Sequence, residues 1–99
     1  ENLADPVACE PQLRQLFDEL TADLSARAEG QPISGLFVKV KFADFQVTTA
    51  ESRCEAPRWE LARELLETGW QRGQRPVRLL GLGVRFATGT AQQLLLPLT

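Results

Sequence analysis

The sequence predicts an α+β fold: a four-stranded antiparallel sheet with two helices packed on one face, in the order β-α-β-β-α-β, and the other face open. Three observations carry this prediction. Two stretches repeat apolar residues with a period near 3.6, each along one side only. Three others alternate with a period of two. The last alternating stretch also carries two glycines where side chains are expected on one parity. One-faced helices share one side of a sheet, which leaves the other side to solvent or a partner.

In chain order, Glu1 to Ala8 reads as the clipped end of a first strand entering a turn at Asp5-Pro6. Leu13, Leu16, Phe17, Leu20 and Leu24 then form one stripe of a helix over 11–28, with Pro11 in its first turn and Gly30 as its stop. Pro32-Ile33-Ser34-Gly35 is a turn. Along the strand that follows, Leu36, Val38, Val40 and Phe42 point one way, and Phe37, Lys39 and Lys41 the other. Ala43-Asp44 connects it to a partner strand at Phe45–Thr49. A two-residue turn sets Phe45 and Val47 on the core side and Thr48 beside the lysines; one residue more puts Thr49 there instead, and the pattern allows both.

Trp59, Ala62, Leu65, Leu66 and Trp70 mark a second helix near 57–71, with the tryptophans as core residues and Gly73 ending it. The final strand, 75–86, offers Arg78, Leu80, Leu82, Val84 and Phe86 to the core. Its other parity is Val77, Leu79, Gly81, Gly83 and Arg85, where two glycines leave backbone bare for close approach.

With 99 residues, 43% hydrophobic and 24% charged, the chain is one ordinary globular domain able to bury a core without staples. The net charge of −2 hides a polarised distribution. Residues 1–29 hold seven acids and two arginines, whereas 30–99 hold nine of the 11 basic residues and six acids. Clustered cations, more than net charge, decide where an anion lands. Cys9 and Cys54 stand far apart and no histidine occurs, which excludes a zinc motif and a disulfide framework. Both read as reduced thiols of a cytoplasmic protein, and a monomer is the default expectation. No apolar run reaches membrane-span length, and a start without Met reads as a piece of a longer chain.

Two stretches carry candidate function. On the open sheet face, Lys39, Lys41, Thr48 or Thr49, Arg85 and the backbone of Gly81 and Gly83, with Arg75 and Arg78 at the strand entrance, make a phosphate-binding surface. Beyond residue 87, a polar linker leads to Gln93, Leu94, Leu95, Leu96, Pro97 and Leu98. A terminus this rich in leucine either packs on its own domain or docks on a partner. The domain is thus 1–87, and 88–99 is linker and tail.

The run Phe37-Val38-Lys39-Val40-Lys41-Phe42-Ala43-Asp44-Phe45-Gln46-Val47-Thr48-Thr49, then Trp70, then Val77-Arg78-Leu79-Leu80-Gly81-Leu82-Gly83-Val84, resembles the little finger domain of bacterial DNA polymerase IV, a Y-family lesion-bypass polymerase. The resemblance implies a DNA-binding module of an error-prone DNA-directed DNA polymerase, gripping primer-template DNA without reading bases. It implies that the polymerase's metal-binding carboxylates, and the magnesium they hold, belong to a palm domain absent here, so that this piece is inactive alone and needs no cofactor. The tail resembles the bacterial sliding-clamp motif: Gln93 sets register, and Leu94, Leu96 and Leu98 enter an apolar cleft. Two other classes compete. An RNA-recognition-like domain has a related element order but wants exposed aromatics, for which Phe37 is the one good candidate; a pure protein-interaction module is compatible with the tail. No nucleophile–base pair or phosphate loop marks a stand-alone enzyme.

Overall fold

A computed structural model describes residues 3–26 and 32–98. They form α1 (Pro6–Ser25), β1 (Ile33–Phe42), β2 (Val47–Arg53), α2 (Trp59–Gln71), β3 (Val77–Phe86) and β4 (Ala91–Pro97). The strands make one antiparallel sheet in the order β2-β1-β3-β4. Helix α2 lies under β1 and β2, and α1 under β3 and β4. The expected class and one-sided packing are present, but the fourth strand comes from the other terminus. Leu3 makes a single bridge to Val77, while the stretch read as linker and tail supplies β4.

Helix α1 starts five residues earlier than the periodicity suggested. Asp5 is an extended N-cap whose Oδ1 accepts the Ala8 N–H at 2.9 Å, and Pro6 takes the first helical position. The pair read as a turn is therefore a helix start, and Pro11 falls inside the helix. Gly30 lies outside the described residues. Ile33 to Gly35, also read as a turn, begins β1, with a bulge at Ser34 where the register shifts.

Both hairpins use the same loop. Phe42 N–H bonds to Gln46 O at 2.8 Å and Phe45 N–H to Phe42 O at 2.9 Å; Phe86 N–H bonds to Thr90 O at 2.8 Å and Gly89 N–H to Phe86 O at 2.9 Å. Each is a three-residue loop whose last residue has positive φ, 98° at Gly89 and 70° at Phe45. Ala43-Asp44 alone is thus not the whole turn, and the extra residue resolves the open register: Thr49 pairs with Lys39 and Val47 with Lys41. Phe45 and Val47, expected on the core side of a two-residue turn, are exposed.

The core gathers Leu13, Leu16 and Leu20 of α1, Leu61, Leu65 and Leu66 of α2, and the inward rows Val38-Val40 and Leu80-Leu82-Val84. Each such side chain stabilises the fold by roughly 1.5–3 kcal/mol. The tryptophans sit at its margin. Trp59 meets Phe17 edge to face at 5.6 Å, and the Trp70 indole N–H donates to Arg75 O at 3.0 Å.

Cys9 is fully buried, and loss of water, with Asp5 nearby, pushes its thiol up to about 11. An unfolded thiol ionises near ~8.5. Its contribution is therefore fully present below that pH and is lost as pH rises toward 11, because the unfolded chain sheds a proton that the folded one keeps. Urea titrations at pH 8 to 11 should show wild-type stability falling more steeply than that of Cys9→Ala, by roughly 2–3 kcal/mol at the alkaline end.

Candidate functional site

The pairing of β1 with β3 sets one face of the sheet in a single register. Phe37 stands opposite Gly83, Lys39 opposite Gly81, Lys41 opposite Leu79, and Gly35 opposite Arg85. On the flank, Arg53, Glu51, Thr49 and Val47 of β2 join the same face, as do Ala91, Gln93, Leu95 and Pro97 of β4. No helix covers it. A shallow hollow of about 350 Å³ lies at its centre, lined by Phe37, Lys39, Thr49, Arg85, Ala91 and Gln93.

The predicted residues divide. Lys39, Lys41 and Thr49 meet on this face as expected. Thr48 does not: it pairs with buried Val40, and Arg72 at the end of α2 donates to its hydroxyl and to Thr49 O, both at 2.8 Å. Thr48 ties helix to sheet from the other side. Arg85 is on the face, but its Nε reaches the Glu51 carboxylate at 2.6 Å, so its charge is largely answered within the surface. Arg75 sits off the sheet, paired with Asp44 of the first hairpin loop at 3.3 Å.

Arg78 shows what strand parity alone could not. Phe42 pairs with Val77 but Lys41 with Leu79, so Arg78 is the extra residue of a bulge. The bulge turns Val77 into the core, where it is fully buried, and swings Arg78 onto the Phe45 ring, 4.3 Å from its centroid. Lys41 Nζ approaches the same ring at 5.2 Å. An exposed aromatic in a conformation that usually suits glycine thus holds two cations at one corner of the face. Among the described residues neither cation forms an ion pair. The sequence marks neither Phe45 nor Arg53 as a site residue. Arg53 is visible in the sequence only as a charge past the strand's expected end, and no composition signal marks an aromatic loop residue as a platform.

Gly81 and Gly83 are not bare. A Cβ on Gly81 would stand 2.7 Å from Leu95 Cδ2; one on Gly83 would collide with the Phe37 ring and lie 2.6 Å from Gln92 O. Both glycines are buried in a strand paired on each side, so their amides serve the ladder and not an anion. They exist to let neighbouring side chains lie flat across the sheet. The Phe37 ring is consequently 7% exposed, beneath Arg85 at 5.1 Å from its centroid.

In the tail, Gln93, Leu95 and Pro97 are on the open face, while Leu94, Leu96 and Leu98 pack against the core. No set of three or more His, Cys, Asp or Glu among the described residues is placed to hold a metal ion. Nor, among them, is any helix long and apolar enough to cross a membrane.

Residues 1–96 match the family described as impB/mucB/samB family C-terminal domain. DNA polymerase IV of Pseudoalteromonas translucida (strain TAC 125) is 44% identical over 77 residues, covering 77% of this chain and 22% of its own. DNA polymerase IV of Legionella pneumophila (strain Corby) is 36% identical over 99 residues, 99% of this chain and 28% of its own. This chain therefore spans about a quarter of the length of these relatives. A solved complex of β-clamp processivity factor and the little finger domain of PolIV superposes with a TM-score of 0.79 at 30% identity, over 97% of this chain and 88% of that one.

Replacing Gly83 by Ala forces its Cβ against the Phe37 ring and a backbone carbonyl, neither of which can give way cheaply. Urea denaturation should show a loss of about 1–3 kcal/mol, as for other overpacked sites.

Proposed function

Because this chain belongs to the impB/mucB/samB family as its C-terminal domain, and is built like the little finger of DNA polymerase IV, we propose that it holds primer-template DNA for a lesion-bypass polymerase. In this reading it grips phosphates without reading sequence and binds the sliding clamp through Gln93–Leu98. Polymerisation itself, with its magnesium, belongs to other parts of such an enzyme, and the domain alone is inactive.

The observation that carries the DNA reading is the helix-free face on which Lys39, Lys41 and Arg78 project without carboxylate partners among the described residues. Cations and hydroxyls aimed at phosphates fix position and carry no base information, which suits an enzyme that accepts damaged templates. Thr49 and Gln93 add neutral donors beside Lys39. Amides of Gly81 and Gly83 take no part. An RNA-recognition mode is disfavoured, because Phe37 is covered by Arg85 and offers no free ring for stacking. The clamp reading rests on the tail's pattern and on a neighbour solved with its clamp.

Titration with duplex primer-template, single-stranded RNA and purified clamp separates the three readings, and the expectation is binding to the first and last. Lys39→Ala combined with Lys41→Ala should weaken duplex binding equally on unrelated sequences and lower the salt slope by roughly one unit per lost phosphate contact. Unchanged affinity and slope would remove this face from consideration. Glu51→Gln releases Arg85 and deletes an anion from the face. Duplex affinity at low salt should rise a few-fold, ~0.5–1 kcal/mol, as for one exposed charge pair.

A further inference from the structure

The leucines that the clamp motif would use are the ones the fold has already taken. Leu94, Leu96 and Leu98 pack against the domain's own core, opposite Leu82, Leu80 and the Arg78 carbonyl, to which Leu98 N–H donates at 2.7 Å. An extended peptide cannot lay the same side chains into a second cleft while they stay there. We propose that β4 is a removable strand: it occupies the β3 edge when the tail is idle and leaves that edge whenever Gln93–Leu98 enters the apolar cleft of the clamp. This rests on the clamp reading above.

Four features of the molecule fit a strand made to detach. It is an edge strand, bonded to β3 alone, so its departure breaks one ladder and leaves β2-β1-β3 paired. Its alternate residues are only half-buried, unlike the fully buried rows of β1 and β3. Pro97 falls opposite Leu79, one rung from the Leu98–Arg78 bond, so its missing N–H faces away from β3 and also bars any further strand from completing a ladder on β4. Finally, the β3 edge is not reserved for the tail. Leu3 uses its first rung, exchanging bonds with Val77 at 2.9 and 2.6 Å in the same antiparallel sense. Between these two segments lies a hollow of about 340 Å³ lined by Leu3, Gln12, Gln15, Leu96, Pro97 and Leu98. Gln12 Oε1 is buried there without a hydrogen-bond partner among the described residues.

If β4 must leave before the motif binds, the apparent affinity of the domain falls by the fraction of molecules with the tail released. The test measures purified clamp binding by a synthetic peptide spanning Ala91–Thr99, by the whole chain, and by a chain with Leu79→Cys and Pro97→Cys in a Cys54→Ser background. Leu79 and Pro97 are directly opposed on the open face, at a spacing a disulfide can bridge. The peptide should bind about tenfold or more tighter than the chain. The oxidised double variant should lose binding and recover it on reduction. A chain that binds as tightly as the peptide, or an oxidised variant that binds as tightly as its reduced form, overturns the removable strand while leaving the clamp reading intact. A peptide that does not bind overturns the clamp reading, and the proposal with it.

Discussion

The register of β1 against β3 is the constraint from which the rest of the molecule follows. Val38 and Val40 lie fully buried beside Leu82 and Leu80 over the two helices, and a strand has a period of two. The odd positions from Phe37 to Lys41 in β1 and from Leu79 to Arg85 in β3 are therefore committed to the opposite face. A slip of one residue would drive Lys39 and Lys41 into the core and expose four aliphatic side chains, so hydrophobic burial protects the cationic face as firmly as it protects the interior. Function on this surface is held in place by packing on the other.

That face is not a plain bed of positive charge. Glu51 answers Arg85, Asp44 answers Arg75, and Phe45 props Arg78 and Lys41 at a corner. Among the described residues, the cations of this face without a carboxylate partner are Lys39 and Lys41 of β1, Arg78 at the bulge of β3 and Arg53 of β2. The two glycines of β3, which suggest an approach by an outside ligand, serve an internal one: the Phe37 ring and Leu95 lie across them. The surface is thereby smoothed by the domain's own side chains.

The C-terminal stretch joins the two roles. As β4 it completes a four-stranded sheet and half-covers the core on the α1 side. Its leucine pattern also suits an extended ligand. A strand and an extended peptide have the same backbone conformation, so the proposed docking would require no refolding of the stretch itself. The chain itself spans about a quarter of the length of the relatives it matches.

From the residues alone, the helices, the β1–β2 hairpin, the glycine-rich strand and the lysine-bearing face were legible, because period 3.6 and period 2 are properties of the chain itself. What the residues left open was decided by contacts between distant segments. The three-residue loop with Phe45 at positive φ chose Thr49 over Thr48, and Arg72, reaching over from α2, gave Thr48 its structural role. A bulge set by the Phe42–Val77 pairing reversed the side of Arg78, and Leu95 and Phe37 closed over glycines that looked bare. Asp5-Pro6 has two local meanings, turn or helix start, and packing of Cys9 and Leu13 beneath β3 selected the second. Whether Leu94, Leu96 and Leu98 face inward depends on an unoccupied edge of β3 within reach of a short loop, a fact of tertiary arrangement that no local pattern encodes.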